Sequence, residues 1–229
     1  MNSPKYLDNL KHALFSPSQN AWLRYDDDKF IESFKNKYRA ELGEEIHLYA
    51  SHQIKLVAKQ NGIREIVKGV QTQIFNKYYR EATDTVDEHG VDLLDSLKYI
   101  PVECYGSVKS FVNDAIGYRM KSEERIFYSK YFGGTSDAIK YESSTGLLRV
   151  HDLKTGAKEA DFDQLAIYGA LYCLVNTIKP ETVNFELRIY QNDTISVDNP
   201  DPKAIRDIMD IIIRREKLIN RVNGGKRYE

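Results

Sequence analysis

The stretch TSDAIKYESSTGLLRVHDLK, residues 135–154, decides how this chain folds. Two segments of strand length flank Ser143-Ser144-Thr145-Gly146, a run with the composition of a turn. A four-residue loop at Ser143 to Gly146 pairs Glu142 with Leu147, and every further pair keeps the same sum of residue numbers, so Asp137 faces Asp152. Directly opposed residues on an antiparallel pair have Cβ atoms about 5 Å apart, where two carboxylates repel unless something neutralises them. Strand alternation puts Lys154 on the face of Asp152 and Asp137, and turns Arg149, His151 and Leu153 to the other.

Working outward, Arg125 to Phe132 reads as a preceding strand, joined through Gly133-Gly134 to Thr135–Tyr141, and Leu147–Lys154 closes a three-stranded meander. Asp161 to Thr177 has a helical pattern, Val183 to Gln191 is a fourth strand, Asn192-Asp193 is a turn, and Pro202 opens a helix that runs to about Val222. Residues 1–120 read as helices. Ser16-Pro17 supplies an N-cap and first helical residue, and a long charged pattern runs from Asp28 to Gln60, closed by Asn61-Gly62. Further helical patterns cover Ile63–Arg80, Val91–Tyr99 and Ser107–Tyr118, the last with Val108, Phe111, Val112 and Ala115 on one face. The expectation is an α/β fold in one compact domain: a helical region over 1–120 and a core over 121–229.

The 229 residues suffice for one well-packed core without stapling. Thirty-three basic and 34 acidic residues give a formal net charge of -1, so a nucleic-acid contact has to come from a local patch. Cys104 and Cys173 stand far apart, which excludes a disulfide framework, a zinc ribbon and an iron–sulfur cluster and fits a reducing cytoplasm. The first residues lack a leader pattern and no apolar run reaches the length of a membrane span, so no membrane partner is expected.

Two carboxylates with an open coordination sphere suit a hard cation, Mg²⁺ or Mn²⁺, better than zinc. Such an ion polarises a phosphodiester and lowers the pKa of a bound water, while Lys154 positions that water or offsets transition-state charge. The alternative is an ordinary, partly exposed salt-bridge cluster of Asp137, Asp152 and Lys154 with no chemistry.

Gly134-Thr135-Ser136-Asp137-Ala138-Ile139, then Asp152-Leu153-Lys154-Thr155-Gly156, then Gln164-Leu165-Ala166-Ile167-Tyr168 resembles the RecB-like branch of the PD-(D/E)XK nucleases. In that branch G-x-x-D, D-x-K-T-G and Q-L-x-x-Y follow one another. The resemblance implies a restriction-endonuclease-like αβββαβ core, here with a helical N-terminal elaboration. It also implies a preceding G-x-x-x-H element, met by Gly43-Glu44-Glu45-Ile46-His47, with His47 as a third metal ligand beside Asp137 and Asp152. The Leu153 backbone carbonyl is a further candidate ligand, and Gln164 is implied to order Lys154 or the DNA backbone. Taken alone, His47 reads as a half-buried or solvated histidine, with Glu44, Glu45 and His52 as rivals.

The implied activity is Mg²⁺- or Mn²⁺-dependent hydrolysis of DNA by an exonuclease or structure-dependent nuclease of phage or bacterial DNA processing or recombination. DNA is the implied partner, with a recombination or replication protein beside it. The opening His12–Ser18 with Trp22-Leu23 is similar to the start of phage-encoded RecB-like nucleases. The clustered cysteines that serve an iron–sulfur cluster in some relatives are missing. Two other readings stay open: a DNA- or protein-binding module on this fold that does not cut, and a sequence-specific restriction endonuclease.

Around the site, Tyr168 reads as packing before substrate contact, Thr155 and Gly156 as the end of the strand, and Glu124 as a solvated residue of Ser122-Glu123-Glu124-Arg125. Arg206, Arg214, Arg215, Lys217 and Arg221, like Lys35, Lys37 and Arg39, read as solvated helix faces before DNA contacts. Sixteen tyrosines permit stacking on unpaired bases but serve cores as often.

Overall fold

A computed structural model describes residues 17–59, 103–156 and 158–224. The expected features at Ser16, at Asn61-Gly62, over Ile63–Arg80 and over Val91–Tyr99 lie outside the described residues. After a 3-10 helix, Pro17–Arg24, the chain forms α1 (Asp27–Lys55), α2 (Glu103–Gly117), β1 (Lys121–Phe127), β2 (Gly133–Glu142) and β3 (Leu147–Leu153). Then follow α3 (Asp163–Val175), a short 3-10 turn at Pro180–Thr182, β4 (Asn184–Gln191), β5 (Thr194–Asp198) and α4 (Pro202–Gly224). The fold is mixed α/β. Helix α1 begins where the Asp26 carboxylate accepts from the Lys29 N–H at 2.8 Å, with Asp27 and Asp28 placing negative charge at the positive end of the helix dipole.

The five strands form one sheet in the order β1-β2-β3-β4-β5. The first three are an antiparallel meander, β4 runs parallel to β3, and β5 is antiparallel to β4. The β2–β3 register runs from Glu142↔Leu147 to Ala138↔His151, as the turn length dictates. Gly146 closes that turn at φ 65, and a Cβ there would stand 2.9 Å from the Thr182 carbonyl oxygen. Its own carbonyl accepts from the Asn184 N–H at 2.8 Å, so the hairpin turn also seats the first residue of β4. A parallel neighbour needs a crossover, which α3 supplies between β3 and β4.

Two expectations are corrected. Strand β1 occupies Lys121–Phe127 rather than Arg125–Phe132. It is an edge strand whose only fully buried residue is Ile126, so alternation is too faint to mark its start. The turn at Asn192-Asp193 leads into a fifth strand rather than directly to the last helix. Both turn residues take left-handed φ, 50 and 56, and Gln191 pairs with Thr194, which makes a two-residue hairpin. Strand β5 lies at the opposite edge, exposed along most of its length, and carries no burial signature in sequence.

One face of the sheet is apolar. Ile139, Leu148, Val150, Phe185, Leu187 and Ile189 pack against Leu165, Ala170, Leu171 and Cys173 of α3 and Ile205, Met209 and Ile212 of α4. Each large aliphatic side chain buried there contributes about 1.5–3 kcal/mol. On the other face α2 buries Val108, Phe111, Val112 and Ala115, the stripe expected from sequence, and meets a polar network. Glu186 Oε1 accepts from Arg149 Nε at 3.0 Å and from Arg188 Nε at 3.1 Å. Arg188 donates onward to Asp114 and to the Tyr118 hydroxyl, both at 3.1 Å, and Arg149 lies 4.3 Å from the centre of the Tyr118 ring. The Tyr190 hydroxyl donates to Asp114 at 2.8 Å, so it accepts from His151 Nδ1 at 3.1 Å. Burial first, then the charges of Arg188 and Arg149, holds the His151 imidazole neutral by lowering its pKa to about 3. No helix among the described residues is long and apolar enough to cross a membrane.

Removing the central anion of this network strands two guanidinium groups on a largely covered face. Glu186→Ala is expected to lower the unfolding free energy in urea at neutral pH by about 2 kcal/mol. That is below the ~3–5 kcal/mol of a fully buried pair, because the three groups keep some solvent contact. Glu186→Gln keeps an acceptor and should lose less. Equal losses for the two variants would show that charge contributes nothing there.

Candidate functional site

Beyond the last paired step of the β2–β3 ladder, the same register brings Asp137 and Asp152 together. Asp137 Oδ2 accepts from the Leu153 N–H at 2.9 Å, which locks the carboxylate of one strand to the backbone of the next. The same oxygen lies 3.2 Å from His47 Nδ1 on α1. Asp152 is 5% exposed, and its Oδ2 is 2.9 Å from Lys154 Nζ. That approach is off the line of a hydrogen bond, so Oδ2 is buried without a donor aimed at it. Lys154 Nζ donates to Gln164 Oε1 on α3 at 2.8 Å, and its backbone N–H donates to the Tyr190 carbonyl at 2.9 Å.

Two glycines let these elements close on one another. A Cβ on Gly43, one helical turn before His47, would stand 2.7 Å from Thr155 Oγ1, so with any larger residue there the Thr155 side chain would have to shift for α1 to lie this close to the end of β3. A Cβ on Gly134 would stand 2.8 Å from the Tyr168 hydroxyl, which donates to the Thr135 carbonyl at 2.6 Å. Tyr168 thus braces the start of β2 against α3. His47, Asp137, Asp152, Lys154, Thr155, Gln164 and Tyr168, together with the Leu153 backbone, all meet at one corner of the sheet.

The electrostatics are those of crowded anions. Burial and then the charge of Asp137 push the Asp152 carboxyl up to about 6, against the opposing pull of Lys154 and His47. Burial depresses His47, but its bond to Asp137 and the charges of Asp137, Asp152 and Glu123 outweigh that and leave it above its ordinary value. Glu123 is a neighbour that sequence reasoning did not single out, having weighed only Glu124 and set it aside as solvated. The pairs Ser122↔Ala138 and Glu124↔Ser136 bracket it opposite Asp137, and it holds φ 51, a left-handed conformation inside a strand. Burial and the Asp137 charge raise its carboxyl, with His47 and Lys55 acting the other way. Glu124 instead pairs with Lys121 at 3.1 Å. Counting the β1–β2 register would have found Glu123, had the strand been started at Lys121.

Gln191 was also missed. It is 7% exposed at the end of β4, and its Nε2 donates to the carbonyls of Gly156 and Lys158 at 2.6 and 2.7 Å, while its Oε1 accepts from the Ala160 N–H at 3.1 Å. One amide therefore pins the loop that follows Lys154. Of the other candidates, the side chains of Glu45, Lys35 and Arg39 lie outside the described residues. Glu44 and His52 are exposed, and Arg206 is engaged by Glu181 through two bonds.

Asp137 and Asp152 are oxygen donors suited to a hard cation, and the buried Asp152 Oδ2 keeps its lone pairs uncommitted to a donor in line. Among the described residues, however, no three His, Cys, Asp or Glu side chains form a ready-made ligand group. His47 stands against Asp137, and the Lys154 ammonium lies beside Asp152 as a neighbouring charge. Comparison with known proteins found no matching family model, no similar curated protein and no similar solved structure.

Gly43→Ala forces Thr155 aside at about 1–3 kcal/mol, and with about 1 kcal/mol of helix propensity gained it is expected to destabilise by up to about 2 kcal/mol. Combining it with Thr155→Ala, which removes the obstructing hydroxyl, should restore most of the loss in thermal melts. Absence of any rescue would mean that the two residues do not press on each other. Separately, Gln191→Ala should raise amide hydrogen exchange at Ala160 while leaving exchange in β2 unchanged. Unaltered protection at Ala160 would rule out the clamp.

Proposed function

We propose that this chain is a metal-dependent deoxyribonuclease with a PD-(D/E)XK core of the RecB-like branch, hydrolysing DNA phosphodiester bonds at the Asp137–Asp152 corner. The observation that carries this reading is convergence. Four segments distant in sequence, Gly43–His47, Gly134–Asp137, Asp152–Thr155 and Gln164–Tyr168, supply contacting groups around one acid pair. An ordinary surface salt-bridge cluster gives no reason for a buried carboxylate, an imidazole and an ammonium to be drawn together from separate elements.

Asp137, Asp152, His47 and the Leu153 carbonyl are the groups that would hold Mg²⁺ or Mn²⁺. When bound, such an ion polarises a phosphodiester and makes hydroxide available near neutral pH. The chain's own groups do the positioning. The Leu153 N–H fixes the Asp137 carboxylate, and Gln164 and the Tyr190 carbonyl hold Lys154 so that its ammonium stays beside Asp152. There Lys154 orients a water or opposes the charge that builds on the phosphoryl oxygens. Exonucleolytic or structure-dependent cleavage in phage or bacterial DNA processing or recombination is the role this reading favours. A second reading, a DNA-binding module that does not cut, draws on the mutual pairing of His47 with Asp137 and Lys154 with Asp152, which leaves the acids already neutralised.

Wild type should cut linear, circular or single-stranded DNA in Mg²⁺ or Mn²⁺ and lose activity in a chelator. Asp152→Ala and Lys154→Ala should each reduce the rate by roughly a hundredfold or more. Full activity in both variants would sink the site, and binding without cleavage by wild type would favour the second reading.

A further inference from the structure

A cleft of about 490 Å³ opens between α3, α4 and the β1–β2 connection. Two of its lining residues adjoin the acid corner directly. Gly133 precedes Gly134, which rests on Tyr168, and Asp163 precedes Gln164, which holds Lys154. The walls are otherwise aromatic and aliphatic, and three of their residues keep large exposed surfaces: Tyr131 at 37%, Ile167 at 44% and Ile211 at 42%. Polar groups stand among them, with Asp163 as an acceptor and Arg215 as a donor, and Lys130 Nζ lies 4.9 Å from the centre of the Tyr131 ring.

Apolar walls with a few polar groups match the anatomy of a nucleobase, which has flat apolar faces and a polar edge. The volume is in the range of small-ligand sites, about 300–1,000 Å³. Phosphates attached to such a base would remain outside, within reach of Arg215 and Lys130. Inside a duplex both faces of each base are stacked on neighbours. At a blunt end the outer face belongs to a whole base pair with its edges paired, so only an unpaired base can enter a cleft of this size and offer its edge. A second copy of this chain fits less well. Arg215 lies midway between the exposed Ile211 and Leu218 on α4, with Arg214 beside it, and an antiparallel helix pair centred there would bring four guanidinium groups together.

We infer that this cleft binds an unpaired nucleobase beside the bond to be cut, so that the substrate is a single strand or a frayed duplex end. The position of the cut rests on the nuclease reading, whereas the binding does not. The probe is a short single-stranded oligonucleotide carrying a fluorescent purine analogue whose emission is quenched by stacking. It is titrated with the full chain in a chelator, where cleavage cannot interfere. Wild type is expected to bind it with quenching, and to bind the blunt duplex of the same sequence more weakly and without quenching. Tyr131→Ala should weaken single-strand binding roughly 5- to 150-fold and remove the quench, while Tyr131→Phe keeps both. Ile211→Asp, on a different element, should weaken binding as well.

Affinity and quenching unchanged in both Tyr131→Ala and Ile211→Asp would overturn the inference. So would an Ile211→Asp protein that sediments at half the mass of wild type with its affinity intact, since the cleft would then be an interface between copies. If the binding results come out as expected but wild type cuts nothing in Mg²⁺ or Mn²⁺, the nuclease reading alone fails. If DNA is cut and the cleft variants bind normally, the cleft inference alone fails.

Discussion

The register of β2 against β3 is the constraint on which everything else in this molecule depends. A strand's side chains alternate between faces, so a slip of one residue would move Asp137 off Asp152 and exchange the two faces of β2. The four residues between Glu142 and Leu147 forbid that slip. Gly146 fixes the turn in a left-handed conformation, and its carbonyl receives the first N–H of β4. The turn that sets the acid pair therefore also sets the parallel strand beside it.

Adjacent residues of β3 then serve different ends. His151 faces α2 and is held neutral within a network of arginines, tyrosines and acids, while Asp152 faces the acid corner and is buried beside Asp137. The two sides are coupled through Tyr190. Its hydroxyl binds Asp114 and His151 on the α2 face, and its carbonyl accepts the Lys154 N–H. Arg188 and Glu186, on the same strand, anchor β4 to α2 and to β3. The Lys154 backbone is thus tied to a strand whose side chains build the polar network on the opposite face of the sheet.

What could be read from sequence was what depends on short separations. The hairpin register follows from a turn length, the face shared by Asp137, Asp152 and Lys154 from alternation, and the α2 stripe from helical spacing. The two strands misread were edge strands, where one neighbour and little burial leave no alternation to see. Starting β1 too late hid Glu123, since its place opposite Asp137 exists only once the β1–β2 register is known. Gln191 carries no local sign at all. An amide at the end of a strand looks alike whether it faces solvent or grips a loop some 30 residues upstream, and only the crossover through α3 brings that loop to it. Gly43 is intermediate. Its spacing from His47 was noticed for its pattern, but the reason for a glycine, the Thr155 hydroxyl against α1, required the fold.

Charge balance gives the final step. With 33 basic and 34 acidic residues, the chain has no global field to draw in a polyanion, and Arg206 is already occupied by Glu181. Binding that relied on many phosphate contacts would need a basic surface this molecule does not present as a whole. Affinity for a nucleic acid would then have to come from contacts that act at short range and do not depend on net charge. Helix α3 is placed to provide both kinds of contact at once. Gln164 reaches Lys154, while Asp163 and Ile167, on the adjoining part of the helix surface, line the apolar cleft. A bound strand would meet the acid corner and the cleft across a single helix, so a base seated in the cleft would set which phosphodiester reaches Asp137 and Asp152. Selection by an unpaired base would then replace attraction by charge, and the cleft and the acid corner would be linked through the consecutive residues Asp163 and Gln164.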